Sequence, residues 1–273
     1  MTVVESLRRL SPVRPDADMF PAQSGHIVVT VPFKAMWFVD ATSSPLTRPV
    51  RRISQIDLDR RTTTILVPAR SGHPIHDFAK RALDVVASLL LLVVLLPFLA
   101  AIAATVALTS KGGAFFVQSR VGLNGLTFPM LKFRSMVVDA DLRVEELLNS
   151  NEGSGPLFKL RSDPRVTRVG RFMRRTSIDE LPQLVNVLLG HMSLVGPRPA
   201  LPREVAQYSD REQRRLQAKP GITGLWQVSG RSDLSWDDSI RLDLLYVDHW
   251  SLRADMKILL RTVKTLVKSQ GAY

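Results

Sequence analysis

Two adjacent carboxylates stand directly downstream of a stretch that is dense in cations. The carboxylates belong to Asp179 and Glu180, and between positions 159 and 175 the only acid is Asp163. The basic residues of this stretch are Lys159, Arg161, Arg165, Arg168, Arg171, Arg174 and Arg175. Guanidinium groups bind phosphate oxygens through charge-assisted, bidentate hydrogen bonds, which leaves a carboxylate free to serve as a nucleophile or a metal ligand. The pattern therefore favours chemistry on a phosphorylated substrate.

The same carboxylates also fit an ordinary helix start. Ser177 and Glu180 have the spacing of a capping box, and acidic residues are favoured in the first turn of any helix. Pro182 suits a first turn as well, so this interpretation predicts a helix that begins near Asp179, runs through apolar Leu184–Leu189 and closes at the following glycine. On the residues alone both interpretations stay open.

A second candidate for phosphate binding is the run Gly196-Pro197-Arg198-Pro199, in which two prolines flank one arginine. The prolines fix the backbone on both sides, as a loop that must aim a single guanidinium requires. A rigid surface turn is the alternative. A further turn at Lys219–Gly224 leads to Gly230-Arg231.

Strand patterns and one turn predict a β-hairpin that carries Lys132. Ala114–Val121 and Leu126–Met136 have strand composition, and Asn124-Gly125 between them is a strong hairpin signal. The following segment, Val137–Asn149, has the periodicity of an amphipathic helix.

These elements follow a long apolar run from Val85 to Leu108, which carries no charge over its 24 positions. As a helix it would reach about 36 Å, enough to cross the hydrocarbon core of a bilayer. It has no polar stripe of the kind that a soluble core helix shows. The run therefore predicts insertion into a membrane.

Pro97 stands in the middle of this run, and positive charges flank it on both sides. Lys80 and Arg81 precede it, and Lys111 and Arg120 follow it. Because positive charge marks the cytoplasmic end of a span, two basic flanks favour a re-entrant helix-break-helix whose ends both lie in the cytoplasm. A kinked helix that spans the bilayer is the alternative, since membrane helices tolerate proline.

The C-terminal segment Arg253–Lys268 predicts an amphipathic helix with one apolar and one basic face. The apolar face holds Met256, Leu259, Leu260, Val263 and Val267. The basic face holds Lys257, Arg261, Lys264 and Lys268. We favour a helix that lies on an anionic membrane surface over an ordinary surface helix packed on the core.

Composition narrows the class of partner. The formal net charge of +12 indicates an anionic partner, and the membrane segment favours lipid or a phosphorylated substrate over nucleic acid. Positions 159–175 contain one aromatic residue, Phe172, whereas a nucleic-acid surface interleaves several. There is no cysteine, and the first 20 residues lack the apolar region of a cleavable signal. In the proline-rich residues 1–78, only His26–Phe33 and Thr62–Val67 have strand composition.

Taken together, the sequence resembles the bacterial sugar transferases, the monotopic polyprenyl-phosphate phosphoglycosyl transferases, from about Phe78 to Ser269. Six motifs in the right order carry the resemblance: Lys80-Arg81-x-x-Asp84, Gln118-x-Arg120-x-Gly122, Lys132-Phe133-Arg134-Ser135-Met136, Ser177-x-Asp179-Glu180-Leu181, Gly196-Pro197-Arg198-Pro199, and Pro220-Gly221-Ile222-Thr223-Gly224 with Gly230-Arg231. One departure is Leu96-Pro97, where the family has Ser-Pro at the break of its membrane helix.

The resemblance implies an α/β fold that is mostly α. It implies a monotopic membrane protein with a re-entrant helix broken at Pro97, a short β-hairpin and amphipathic interfacial helices around a small catalytic core. We expect an N-terminal extension over 1–78, the membrane helix-break-helix over 79–112 and a catalytic domain over 113–273. The implied location is the bacterial inner membrane, with the catalytic domain on the cytoplasmic face.

The resemblance also implies a reaction, which is transfer of a sugar 1-phosphate from a UDP-sugar to undecaprenyl phosphate with release of UMP, as the first step of exopolysaccharide or glycan repeat-unit synthesis. Asp179 would be the nucleophile that forms an aspartyl phosphosugar, and Asp179 and Glu180 would hold Mg²⁺. The implied phosphate-binding residues are Arg174, Arg198, Arg231 and Lys132. Asp243 matches a recurrent family acid to which we assign no role.

Several alternatives remain open at this point. Galactose, glucose, another hexose or an N-acetylated sugar all fit the motifs, with the Asn151–Pro156 insertion favouring the hexose branch. A homo-oligomer is compatible with the sequence, and inner-membrane lipid is an expected partner. The rival function is a catalytically inactive, membrane-attached adaptor of a polysaccharide assembly system; it predicts a broken Asp-Glu pair, yet Asp179 and Glu180 are both present.

Overall fold

The computed structural model describes residues 26–32, 62–68, 74–153, 155–158, 160, 162–230 and 234–268. Its six strands are β1 (His26–Pro32), β2 (Thr62–Pro68), β3 (Phe115–Val121), β4 (Thr127–Phe133), β5 (Ser193–Val195) and β6 (Gly221–Thr223). Its α-helices are α1 (Pro74–Thr109), α2 (Val144–Leu147), α3 (Arg168–Arg175), α4 (Gln183–Leu188), α5 (Pro202–Val205), α6 (Asp210–Gln213), α7 (Leu225–Ser229), α8 (Trp236–Asp248) and α9 (Leu252–Lys268). Short 3-10 turns lie at Leu123–Gly125, Leu148–Ser150, Ile178–Glu180 and Arg214–Gln217.

Helix α1 holds the apolar run and is helical over all of its 36 residues, including Pro97, where we expected a break. It is long and apolar enough to cross a membrane, and most of its surface is exposed. Its first half packs on the core through Ala87 and Leu92, and its second half packs around Phe133 and Met173. Both halves of α1 therefore contact the same body of the protein.

The start of α1 is fixed to that body by polar contacts. The guanidinium of Arg81 donates to the carbonyls of Val187 and Leu188, at 2.5 and 2.7 Å, and so satisfies the C-terminal end of α4. The buried carboxylate of Asp84 accepts from Ser193 Oγ and Leu194 N, at 3.1 and 3.0 Å. The basic-acidic motif before the apolar run thus joins α1 to α4 and β5.

Three two-stranded sheets accompany the helices. The antiparallel pairs β1–β2 and β3–β4 confirm the strands predicted from composition, and Asn124 adopts the left-handed backbone of a tight turn between β3 and β4. The third pair, β5–β6, is parallel and brings two glycines together: a Cβ on Gly221 would lie 2.1 Å from Gly196 N. That contact fixes the backbone at the start of the proline-arginine loop.

The predicted helix over Val137–Asn149 is wrong in its first half. Only Val144–Leu147 is α-helical, and the preceding residues form turns. A bridge between Met136 and Val166, together with the bond from Val137 N to Arg165 O, keeps the chain extended where the helix was expected to begin. Long-range pairing overrides local periodicity here.

The core of the described chain lies between α4, β4, β5, α8 and α9. Asn186 of α4 joins the hairpin to this core, because its amide donates to Pro129 O at 2.7 Å and its Oδ1 accepts from Leu131 N at 2.9 Å. Helix α9 confirms the helix predicted over Arg253–Lys268. Met256, Leu260 and Val263 on its apolar face are exposed, while Ile258 is buried in the core.

Candidate active site

Asp179 and Glu180 lie in the 3-10 turn between α3 and α4. The predicted capping box is wrong: Ser177 has the left-handed values φ 57° and ψ 18°, and its side chain caps nothing. Helix α4 starts later, at Gln183. The cause is a distant contact, because the carboxylate of Glu180 is bound by Lys132 instead of the local backbone.

The β3–β4 hairpin supplies one wall of the site. Residues paired directly across an antiparallel ladder share a face, so the pairs Phe116–Lys132, Gln118–Met130 and Arg120–Phe128 place Gln118, Arg120 and Lys132 on one side of the hairpin. Lys132 Nζ reaches Glu180 Oε1 at 2.8 Å, and both side chains are partly exposed. The hairpin therefore delivers a cation to the carboxylate pair.

The two carboxylates differ in their proton affinity. Burial raises the pKa of Asp179, and the neighbouring charge of Glu180 adds to this, so that the value reaches about 6 although Lys132 and Arg174 oppose the rise. Burial alone would also raise the pKa of Glu180. The charge and hydrogen bond of Lys132, with smaller contributions from Arg120 and Arg198, outweigh burial and lower it. Asp179 is the more basic carboxylate of the pair, while Glu180 stays ionised.

Arg198 directly follows a segment that two backbone hydrogen bonds fix to β6. Gly196 N donates to Thr223 O, and Gly221 N donates to Pro197 O, each at 2.9 Å. The guanidinium of Arg198 donates to both carboxylate oxygens of Glu204, at 2.9 and 3.3 Å. Arg198 is therefore held from its backbone to the end of its side chain.

Arg120 is a functional candidate, although the sequence analysis assigns it no role. Its side chain is buried and donates to Pro199 O at 2.9 Å and to Gln118 Oε1 at 2.7 and 3.0 Å. Burial and the nearby charge of Arg198 lower the pKa of Arg120 to about 9, so it remains a cation at neutral pH. The sequence signal for this role was its place in the motif Gln118-x-Arg120-x-Gly122.

A buried ion pair between Arg215 and Asp243 contacts the loop of Arg198. Arg215 donates to Asp243 Oδ2 at 2.5 and 2.9 Å and to the hydroxyl of Tyr208 at 2.6 Å. Arg215 also reaches the backbone carbonyl of Arg198 at 3.4 Å. Asp243 therefore has a structural contact to the loop rather than to the carboxylate pair.

The remaining predicted site residues are placed as follows. Arg174, at the end of α3, is partly exposed and lowers the pKa of Asp179 by its charge. Its guanidinium makes no hydrogen bond or ion pair with any described residue. Arg231 lies outside the described residues. Pro97 lies within α1. The structure thus brings Asp179, Glu180, Lys132 and Arg174 together, with Arg120 and Arg198 acting on Glu180 by charge.

Comparisons with known proteins identify the family of the chain. The profile of the family described as "Bacterial sugar transferase" matches residues 75–269. The "Galactosyl transferase CpsE" of Streptococcus agalactiae is 47% identical over 199 residues, which are 72% of this chain and 44% of that protein. The "Undecaprenyl-phosphate galactose phosphotransferase" of Salmonella typhimurium is 46% identical over 72% of this chain and 42% of its own length.

A further relative covers most of both chains. The "UDP-glucose:undecaprenyl-phosphate glucose-1-phosphate transferase" of Caulobacter vibrioides is 41% identical over 241 residues, which are 84% of this chain and 86% of that protein. The chain spans less than half the length of the Streptococcus and Salmonella relatives. The matched region contains the carboxylate pair, the hairpin and the proline-arginine loop, and the chain belongs to the bacterial sugar transferase family.

Proposed function

We propose that this protein transfers a sugar 1-phosphate from a UDP-sugar to undecaprenyl phosphate and releases UMP, as the first step of exopolysaccharide or glycan repeat-unit synthesis. One observation carries the proposal above all. The buried carboxylate of Asp179 lies next to that of Glu180, which Lys132 binds and on which Arg120 and Arg198 act by their charge. The names of the relatives supply the substrate class.

The proposed reaction has two steps. An oxygen of the Asp179 carboxylate attacks the phosphorus that bears the sugar, and the bond from that phosphorus to the bridging oxygen breaks, so that UMP leaves with the bridging oxygen. An oxygen of undecaprenyl phosphate then attacks the same phosphorus of the aspartyl phosphosugar and regenerates the carboxylate. A carboxylate suits both steps because it is ionised at neutral pH and its acyl phosphate is a reactive donor.

The cations of the site have separate tasks in this scheme. Lys132 keeps Glu180 in place and adds positive charge next to Asp179. Arg174 has no competing ion pair among the described residues, so it is available for phosphate oxygens. Arg198 and Arg120 add charge on the side of the loop and the hairpin, and Arg231 remains a proposed phosphate ligand from its motif.

The carboxylate pair also fits Mg²⁺. The repulsion from Glu180 that helps to raise the pKa of Asp179 is the kind that a bound cation relieves. No cluster of three or more metal-binding side chains occurs in the described part of the chain, and Mg²⁺ commonly uses one or two carboxylates with substrate phosphates and water. When bound by Asp179 and Glu180, the ion would neutralise charge on the diphosphate.

We expect a pH dependence that reports the Asp179 carboxylate. Because attack needs the ionised form, kcat/KM should fall below about pH 6 in the free enzyme. Glu180→Gln removes the negative neighbour and should move this acidic limb to lower pH, whereas Lys132→Met removes an opposing cation and should move it to higher pH. Rate profiles from pH 5 to 8 at fixed Mg²⁺ measure both shifts, and shifts of the opposite sign would contradict the assignment.

We propose a re-entrant topology for α1, in which a kink at Pro97 within the continuous helix replaces the expected break. The contacts that both of its halves make with one body of the protein support this topology. A helix of 36 residues is about 54 Å long, so a straight span would carry one end far from that body. The exposed apolar face of α9 would lie at the same interface, since Met256, Leu260 and Val263 do not pack on the core.

Cysteine labelling tests this topology, because the chain has no native cysteine. Ile75→Cys and Leu108→Cys lie at opposite ends of α1, and both wild-type side chains are highly exposed. We expect an impermeant maleimide to label both variants from the cytoplasmic side of vesicles. Val94→Cys, in the exposed middle of the helix, should label from neither side. Labelling of the two ends from opposite sides would establish a spanning helix instead.

The reaction itself is tested by supplying membranes that contain the protein, Mg²⁺ and undecaprenyl phosphate with UDP-glucose and UDP-galactose in turn. We expect UMP and a sugar-diphosphate lipid from one of them. Release of UDP would mean ordinary glycosyl transfer and would refute the proposal. If the folded protein released no nucleotide with any UDP-sugar, the adaptor function would replace it.

A further inference from the structure

Arg198 is not free to swing into the site, because Glu204 already holds its guanidinium. Glu204 Oε2 accepts from one terminal nitrogen of Arg198 at 2.9 Å, and Oε1 accepts from the other at 3.3 Å. The carboxylate is almost completely buried, with 2% of its side chain exposed, whereas 26% of the Arg198 side chain is exposed. The buried acid therefore fixes a partly exposed cation at the edge of the site.

Glu204 is itself fixed by the backbone. Its Oε2 also accepts from Leu201 N at 2.8 Å, which satisfies the start of α5. The loop and the helix are thus joined through one carboxylate, six residues beyond the arginine that it holds. Neither the Asp-Glu motif nor the proline-arginine motif includes this position.

Charge explains why an acid is needed here. Arg120 and Arg198 are close enough that the charge of Arg198 lowers the pKa of Arg120, and the charge of Glu204 opposes this effect. Without a shared counter-ion, the two neighbouring guanidinium groups repel each other. The negative charge of Glu204 stabilises the positive charges of both Arg120 on the hairpin and Arg198 in the loop.

We infer that Glu204 is a positioning residue for donor binding: it holds the Arg198 guanidinium, and with it the Arg120–Arg198 pair, in the orientation that receives the diphosphate of the nucleotide sugar. This inference rests on the proposed function. Glu204 acts through Arg198 and does not touch the substrate, so removing its charge weakens donor binding more than it slows the chemical step.

A double-mutant cycle on donor kinetics tests this inference. We expect Glu204→Gln to raise the KM for the UDP-sugar by about tenfold or more, with kcat changed by less than about threefold. Arg198→Met should have a similar effect. Because both changes remove the same interaction, the double variant should match Arg198→Met within about twofold. Independent effects that multiply in the double variant would overturn the inference, as would a wild-type KM in Glu204→Gln.

Glu212→Gln is the matched control. Glu212 occupies the equivalent capping position of the next helix, where its Oε2 accepts from Ser209 N and Oγ at 2.8 and 3.0 Å. It makes no hydrogen bond to Arg198 or Arg120. We expect the KM of this variant to stay within about twofold of wild type. An equal rise in KM would show that loss of any helix cap suffices, and it would refute the specific role of Glu204.

A thermal measurement decides the same question without turnover. Arg198→Met leaves the buried Glu204 carboxylate without its partner, so its unfolding temperature should fall. Adding Glu204→Gln removes that unpaired charge, and the double variant should unfold at a higher temperature than Arg198→Met alone. A double variant no more stable than the single one would overturn the inference. If the wild-type protein released no UMP, the proposed function would fail, and this thermal comparison would still test the ion pair.

Discussion

Replacing Asp179 with asparagine should abolish UMP release and at the same time stabilise the protein. We expect activity to fall on the order of 10³-fold or more, since the variant lacks the attacking oxygen. Burial and the charge of Glu180 raise the pKa of Asp179 to about 6 in the folded protein, above the value of an unfolded aspartate. The ionised carboxylate therefore costs stability at neutral pH, and neutral asparagine removes that cost.

The pH dependence of this stabilisation follows from the sign of the shift. Because the folded-state pKa is raised, the favourable contribution of Asp179 is complete below about pH 4 and is lost as the pH rises through about 6. The unfolding temperature of Asp179→Asn should exceed that of wild type by a few degrees at pH 7, on the order expected for 1–2 kcal/mol, and the gap should close towards pH 4.

Asp163→Asn provides a control with the opposite sign. Asp163 is buried like Asp179, but Arg165 binds its carboxylate bidentately at 2.9 and 2.7 Å and lowers its pKa against the effect of burial. Loss of this charge should lower the unfolding temperature. If Asp179→Asn kept more than a tenth of wild-type UMP release, or lost stability as Asp163→Asn does, the assignment of the nucleophile would be wrong.

Replacing Asp255 with asparagine should produce the largest loss of stability. Its buried carboxylate accepts from Lys80 Nζ at 2.6 Å, from the hydroxyl of Tyr246 at 2.9 Å and from Trp250 Nε1 at 3.1 Å. The variant leaves the ammonium group of Lys80 without its charged partner, and breaking a buried pair from one side costs about 3–5 kcal/mol. Because Lys80 is 17% exposed, we expect the lower end, a fall in unfolding temperature of about 6–12 °C.

The same contacts link α1 to the site. Lys80 donates to the carbonyl of Val195 at 3.1 Å, and the Tyr246 hydroxyl, whose one proton either Asp255 or Val195 accepts, lies 2.9 Å from the same oxygen. Val195 directly precedes the loop of Arg198. Activity in Asp255→Asn should therefore fall together with stability. Asp237→Asn, an exposed acid in the first turn of α8, should change the unfolding temperature by less than about 2 °C. Equal effects at the two positions would show that the buried contacts do not carry the stability.

Local chemistry decided which elements the sequence predicted. The β3–β4 hairpin was predictable because Asn124-Gly125 determines its own turn, and α9 was predictable from the spacing of its apolar residues. The long apolar helix was predictable from its composition alone. The carboxylate pair was predictable from the cation-rich stretch before it, and Lys132 from the order of the motifs. The structure places Lys132 Nζ 2.8 Å from Glu180 Oε1.

Distant contacts explain what the sequence could not provide. The helix expected over Val137–Asn149 starts late because the preceding residues pair with the segment before α3. In place of the capping box at Ser177, Glu180 accepts a hydrogen bond from Lys132, which is 48 positions from Glu180 in the chain. The roles of Arg120 and Glu204 depend on a charge pairing across three elements. Such pairing leaves no periodic signal in the chain, so only the folded arrangement identifies it.

In the proposed reaction, Asp179 forms a covalent bond to the sugar phosphate of the donor before any lipid is present. Protein in Mg²⁺ is mixed with a UDP-sugar labelled in the phosphate that bears the sugar, and undecaprenyl phosphate is left out. We expect a burst of UMP equal in amount to the protein, with the label bound covalently at Asp179 and absent from Asp179→Asn. Nucleotide release only after undecaprenyl phosphate is added, with no label on the protein, would contradict it.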